Sequence, residues 1–200
     1  MRTFIRLLSI AGGSLLLIFG PAGSALEANM ARHMLIQIPL LVVLGYFSVQ
    51  GLNSRWPAAS LHLNAHGITG LLLVMLVNAF WMLPTALDLA VIDPRVDAIK
   101  AATLVLGGAA LNFSWRAAGV VIQAFFLGNW CAMEILAGLL YQEASQPLCS
   151  AYLVNDQVDA GVGMVILATA ISLLWGTLQI RRSIAAESAL VGMPDTGGKA

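Results

Sequence analysis

Asn155-Asp156-Gln157-Val158-Asp159-Ala160-Gly161-Val162-Gly163-Met164 sets two carboxylates at the mouth of an apolar run that continues to Ile180. On a helix Asp156, Asp159 and Gly163 share one stripe, because residues three, four and seven apart face the same way. The run behind them is long enough to cross a bilayer, so both acids fall where lipid gives way to water. Carboxylates at that boundary are costly and point to function by default. The competing account is the helix dipole, worth about 0.3–1 kcal/mol for each acid in a first turn. Glu134 lies about seven residues inside another apolar span, on the order of 10 Å deep at 1.5 Å per residue. It must be protonated, paired or hydrated, with Thr103, a Trp N–H, Arg32 or Lys100 as candidate partners. Asp88 falls near the C-terminal end of its helix, gains nothing from the dipole, and asks for a cationic or metal partner.

Soft donors add a second theme. Met30, His33 and Met34 occupy one helical face at offsets of three and four. Thioether and thiolate suit Cu(I), while imidazole and carboxylate suit Cu(II). His33, Met30, Met34, Asp88, Glu134, Asp156 and Asp159 therefore form a candidate copper-ligand set, with Met82, Cys131, Met133 and Met164 extending soft donors inward. The plainer account is packing: methionine fills gaps and a free cysteine behaves as a small hydrophobe. His62 and His66 stand four apart but on the opposite side, and read as ordinary loop histidines. Cys131 and Cys149 differ too much in depth for a disulfide. There is no CxxC or Cys/His zinc spacing, nucleophile–base arrangement, phosphate loop or nicotinamide fingerprint, so a catalyst is not expected.

The elements that position these residues are membrane spans. The chain has 200 residues, 59% hydrophobic and 10% charged, with zero formal net charge. Its mean hydropathy is +0.85. Soluble domains carry about 25% charged residues, so the fold class is an all-α, polytopic transmembrane bundle. The zero net charge implies no nucleic-acid partner; the bilayer is the partner composition demands. About six spans are expected: Leu7–Phe19, Glu27–Gly51, His66–Ala90 bent at Pro84, Ile99–Trp115, Ala118–Tyr141, and a last one opened by the Asn155 motif, apolar to Ile180 and ended by Arg181-Arg182. The first reads either as a retained span or as a secretory signal cut near Ala25. Residues 1–182 form one domain, and 183–200 read as a disordered tail. A stripe of Thr103, Gly107, Ala110 and Ser114 suits close packing in lipid. Seven of the Lys and Arg residues fall on one side and three (Arg32, Arg95 and Lys100) on the other, which predicts both termini in the cytoplasm. Nearly every acid then gathers at the outer face, periplasmic in a bacterial inner membrane.

Residues 27–46 (EANMARHMLIQIPLLVVLGY), 80–88 (FWMLPTALD) and 152–161 (YLVNDQVDAG) resemble the CtaG-type cytochrome c oxidase assembly factors and related short membrane proteins. The shared features are His-Met at the outer end of an early helix, a Pro and then an acid in a Trp-containing span, and Asp-Gln with a following Gly opening a late helix. The resemblance covers roughly residues 27–180 and implies a membrane protein that delivers copper to a haem-copper oxidase. It places Met30, His33, Met34, Asp88, Asp156 and Gln157 at the matching positions. The chain departs from that pattern in being shorter and in having His33 as its one outer-side histidine. The leading expectation is a copper-handling assembly protein of multi-pass, inner-membrane type. The alternative is a structural accessory subunit of a membrane oxidase or monooxygenase, and a third is a small transporter using Glu134 and Asp88. For the transporter, paired interrupted helices in the two halves are lacking.

Overall fold

The computed structural model describes residues 12–13, 20–49 and 64–191. Among the described residues, two short helices and five longer ones make up the fold. α1 is Pro21–Glu27, and α2 is Met30–Ser48 with a π turn over His33–Gln37. α3 is Ile68–Trp81, α4 Pro84–Ile92, α5 Pro94–Ala117, α6 Val120–Glu143 and α7 Val154–Val191. There is no strand among the described residues.

Local chemistry sets most boundaries. Asn29 caps α2 by accepting from the Arg32 N–H at 3.2 Å. Pro84 cannot continue α3, because it lacks an N–H and its ring clashes with the preceding turn, but it starts α4 well. α4 consequently turns 73° away from α3. Asp93 then caps α5, accepting from Arg95 N–H at 2.8 Å, with Pro94 in the first turn. Gln123 closes the tight α5–α6 turn by donating to the carbonyls of Trp115 and Ala118 at 2.9 and 3.0 Å.

Among the described residues, four helices are long and apolar enough to cross a membrane, and the bent α3–α4 pair makes a fifth candidate. The expected span His66–Ala90 is thus not one rod: Pro84 breaks it, and α4 lies across the end of the bundle. The expected first span, apart from Gly12 and Gly13, lies outside the described residues. α7 remains helical to Val191, past the point where a tail was expected.

Two glycine crossings draw the helices together. A Cβ on Gly45 would strike the Val105 carbonyl, and one on Gly108 the Val42 carbonyl, so α2 and α5 touch backbone to backbone. Gly138 and Gly161 do the same for α6 and α7. Backbone approach of this kind supplies dispersion where lipid removes the hydrophobic drive. Leu72, Leu76, Val121, Phe125, Leu136 and Leu173 point outward, as a lipid-facing surface requires. The core is densest at the end holding α1, α4 and the 144–153 loop, with Met30, Leu41, Trp81, Leu87, Tyr141 and Cys149 among its buried members. We call this the polar end.

Candidate functional site

Lys100, on the second turn of α5, is completely buried at the polar end. Its Nζ lies 2.6 Å from Asp97 Oδ1, 3.5 Å from Glu27 Oε1 and 3.4 Å from His33 Nε2. An ammonium has three donors and no acceptor, and three acceptors surround this one. His33 Nε2 therefore accepts, and Nδ1 carries the ring proton and faces Tyr152 Oη at 3.2 Å. Gln37 Nε2 donates to the same Glu27 oxygen at 3.0 Å. Burial raises the Glu27 carboxyl above its ordinary value, against the lowering effect of Gln37 and Lys100. Tyr152 is likewise pushed up, by burial first and by Glu27 second.

This arrangement bears on the copper-ligand set. Both His33 nitrogens are engaged, leaving no lone pair for a metal without breaking the contact to Lys100. Asp88 sits elsewhere, accepting from Ser150 N–H at 2.8 Å, Ser150 Oγ at 2.9 Å and Ala151 N–H at 3.3 Å. Asp156 accepts from Asn29 Nδ2 at 2.8 Å, and Asp159 is exposed on the next turn of α7. Glu134 accepts from Asn78 Nδ2 at 2.9 Å and from the Trp130 indole N–H, the expected Trp partner, whereas Thr103 serves the Trp81 indole. Met30 and Met34 are buried in the core. Among the described residues no three His, Cys, Asp or Glu side chains form a metal-sized group. His33, Asp88, Glu134, Asp156 and Asp159 are thus not brought together into one such group. His62 lies outside the described residues, and both cysteines are free. Cys149 is buried beside Asp88, which together push its thiol up to about 12 and leave it a poor nucleophile.

Gln157, at one of the positions that carry the resemblance, joins three elements: its Oε1 accepts from Leu148 N–H at 2.7 Å and its Nε2 donates to the Tyr141 carbonyl at 3.0 Å. Asp97, Glu27 and Tyr152 were not among the sequence candidates, and Lys100 was one only as a partner for Glu134. The available signal was Asp97 and Lys100 three apart at the start of a helix, which puts both on one face.

Deeper in the bundle, α2, α3, α5, α6 and α7 enclose a cavity of about 340 Å³. Its wall is mostly apolar, with Asn78, Glu134, Tyr46 and the indoles Trp115 and Trp130 as the residues bearing polar atoms, and it holds the thioethers Met34, Met75, Met82 and Met164. Glu134 is only 5% exposed. His33 and Asp156 are not on this wall, so the inner acid and the outer groups face separate surroundings. No family model, curated protein or solved structure matches this chain.

Proposed function

We propose that this chain is a non-catalytic accessory or assembly protein of a membrane oxidase complex, set in the cytoplasmic membrane of a bacterium. The observation that carries the reading is what the polar end does with its charges. Glu27 of α1 meets Lys100 of α5, Asp88 holds the loop at 150–151, and Asp156 holds Asn29, so each of these three carboxylates fastens one element to another, while Asp97 pairs with Lys100 within α5. A polar face fixed in this way suits a docking surface better than a reacting centre, which keeps at least one group free for substrate. The resemblance of residues 27–46, 80–88 and 152–161 to oxidase assembly factors points to the same class of partner. The test is purification of the tagged chain from native membranes under mild detergent. A haem-copper oxidase subunit recovered in near-stoichiometric amount is expected, together with reduced assembled oxidase in cells lacking the chain. Normal oxidase content in those cells overturns the reading.

Copper handling is the second reading, and one observation favours it: Met34, Met82 and Met164 share a cavity wall with Glu134, and thioethers suit Cu(I). On this reading the purified protein retains about one equivalent of Cu(I), the count that one cluster of soft donors implies. A Met82→Leu, Met164→Leu double variant loses it, and His33→Ala does not. Equal copper in the double variant and the parent rules this reading out.

A further inference from the structure

We propose that the interior cavity binds a neutral, lipid-soluble aromatic ring bearing a hydroxyl or carbonyl group, of the prenylated quinol and quinone class. The proposal rests on the cavity alone and does not require an oxidase partner. At about 340 Å³ the space lies in the range of small-molecule sites, about 300–1,000 Å³. Such sites are mostly apolar with a few placed polar groups, and here these include the Glu134 carboxyl and the Asn78 amide, 2.9 Å apart, with the Tyr46 phenol and two indoles on the same wall.

The lining narrows the occupant. Trp115, Phe126 and Trp130 line the cavity on the α5–α6 side. Trp115 and Phe126 meet edge to face, with ring centroids 6.1 Å apart. Indole and phenyl groups in this setting favour a flat ring, by stacking or by edge contact. Glu134 lies one helical turn beyond Trp130 on the same side of α6. Its carboxyl accepts from a hydroxyl, and in its protonated form donates to a carbonyl. A fatty acid or a phospholipid phosphate would bring a negative group against the ionised form of that carboxyl in a medium of low dielectric, where like charges repel strongly. A neutral headgroup with one hydrogen-bonding oxygen meets no such penalty, and an isoprenoid tail matches the aliphatic remainder of the wall.

Indole fluorescence supplies the readout, because quinone-class rings quench tryptophan and two indoles line the cavity. The full chain, placed in phosphatidylcholine nanodiscs, is titrated with decylubiquinol. Saturable quenching is expected. Gly107 lines the cavity, and a Cβ there meets nothing nearer than Val77 at 3.9 Å, so Gly107→Leu fills the space without striking backbone. This variant is expected to weaken binding at least about tenfold, and Glu134→Leu by a similar factor through loss of one buried hydrogen bond. Glu134→Gln keeps an acceptor and retains binding. Circular dichroism and gel filtration establish that each variant is folded, and Leu111→Phe, on the same wall, replaces Gly107→Leu if that chain does not fold. Quenching that is unsaturable, or equal in parent and filled variant, means partition into the bilayer and overturns the proposal. Displacement of the quinol by oleate at equal concentration shows a site for tails alone and also overturns it.

Discussion

Lys100 holds a full charge with none of its side chain in water, and the three acceptors around it are what make this affordable. Removing one partner from a buried ionic group leaves the others uncompensated, at a cost of about 3–5 kcal/mol. Lys100→Met is therefore expected to lose about that much stability, measured by denaturant unfolding in detergent, and adding Asp97→Asn is expected to recover part of it. If the single substitution is neutral, the network is not holding the polar end together. Glu27 has its own pH signature. Burial raises its carboxyl above 4.5, so the folded chain binds this proton more tightly than the unfolded one. The resulting stabilisation is fully present below the unfolded value and is lost as pH rises through the folded value. The melting temperature of the parent, relative to Glu27→Gln, should accordingly fall as pH rises above the ordinary carboxyl value of 4.5. A difference that stays flat, or rises, contradicts the burial. His33 was legible in the sequence as an outer-end polar residue on an early helix. Its partners were not, because Lys100 and Tyr152 stand 67 and 119 positions away and nothing local encodes that meeting.

The helices themselves were largely legible, since long apolar runs separated by charged or Pro-bearing turns leave few alternatives in lipid. What hydropathy cannot convey is which face meets which neighbour. The small-residue stripe pointed to Gly107, yet Gly108 makes the crossing with α2 and Gly107 faces the cavity. An all-round apolar helix gives no moment to orient it, so a one-residue difference is invisible until the partner helix is in place. Pro84 was read as a bend, and the 73° turn is larger because Leu83 leaves the helix altogether, in extended backbone. That turn lays α4 against the 144–153 loop, where Asp88 receives two backbone N–H groups and the Ser150 hydroxyl. Asp88→Ala removes all three contacts at once and frees the loop to open locally. In a Cys131→Ser background, Cys149 should then react with a thiol reagent at least about tenfold faster than in the parent, as befits a loop moved to the low-stability end of the fold. An unchanged rate means that Cys149 is held by the core and not by the Asp88 anchor.

Taken whole, the molecule is asymmetric along its axis. Acids and the Lys100 network gather where α1, α4 and the 144–153 loop meet, while Arg116, Arg181 and Arg182 lie at the other end of the long helices. Lysine and arginine near span ends favour the cytoplasmic side, whereas acids contribute little to orientation. The arginine-bearing end should therefore face the cytoplasm and the polar end the outside, an orientation that every docking hypothesis for this chain depends on. Two exposed positions read it directly: Ser145, in the loop at the polar end, and Ala117, at the far end of α5. Ser145→Cys, in a Cys131→Ser background, should be labelled in intact cells by a membrane-impermeant maleimide, with Cys149 protected by burial and a raised thiol value. Ala117→Cys should be labelled only after permeabilisation. The reverse pattern would place Glu27, Asp88, Asp156 and Lys100 in the cytoplasm. Any partner domain would then have to be sought on that side of the membrane, and the periplasmic reading of the polar end would be lost.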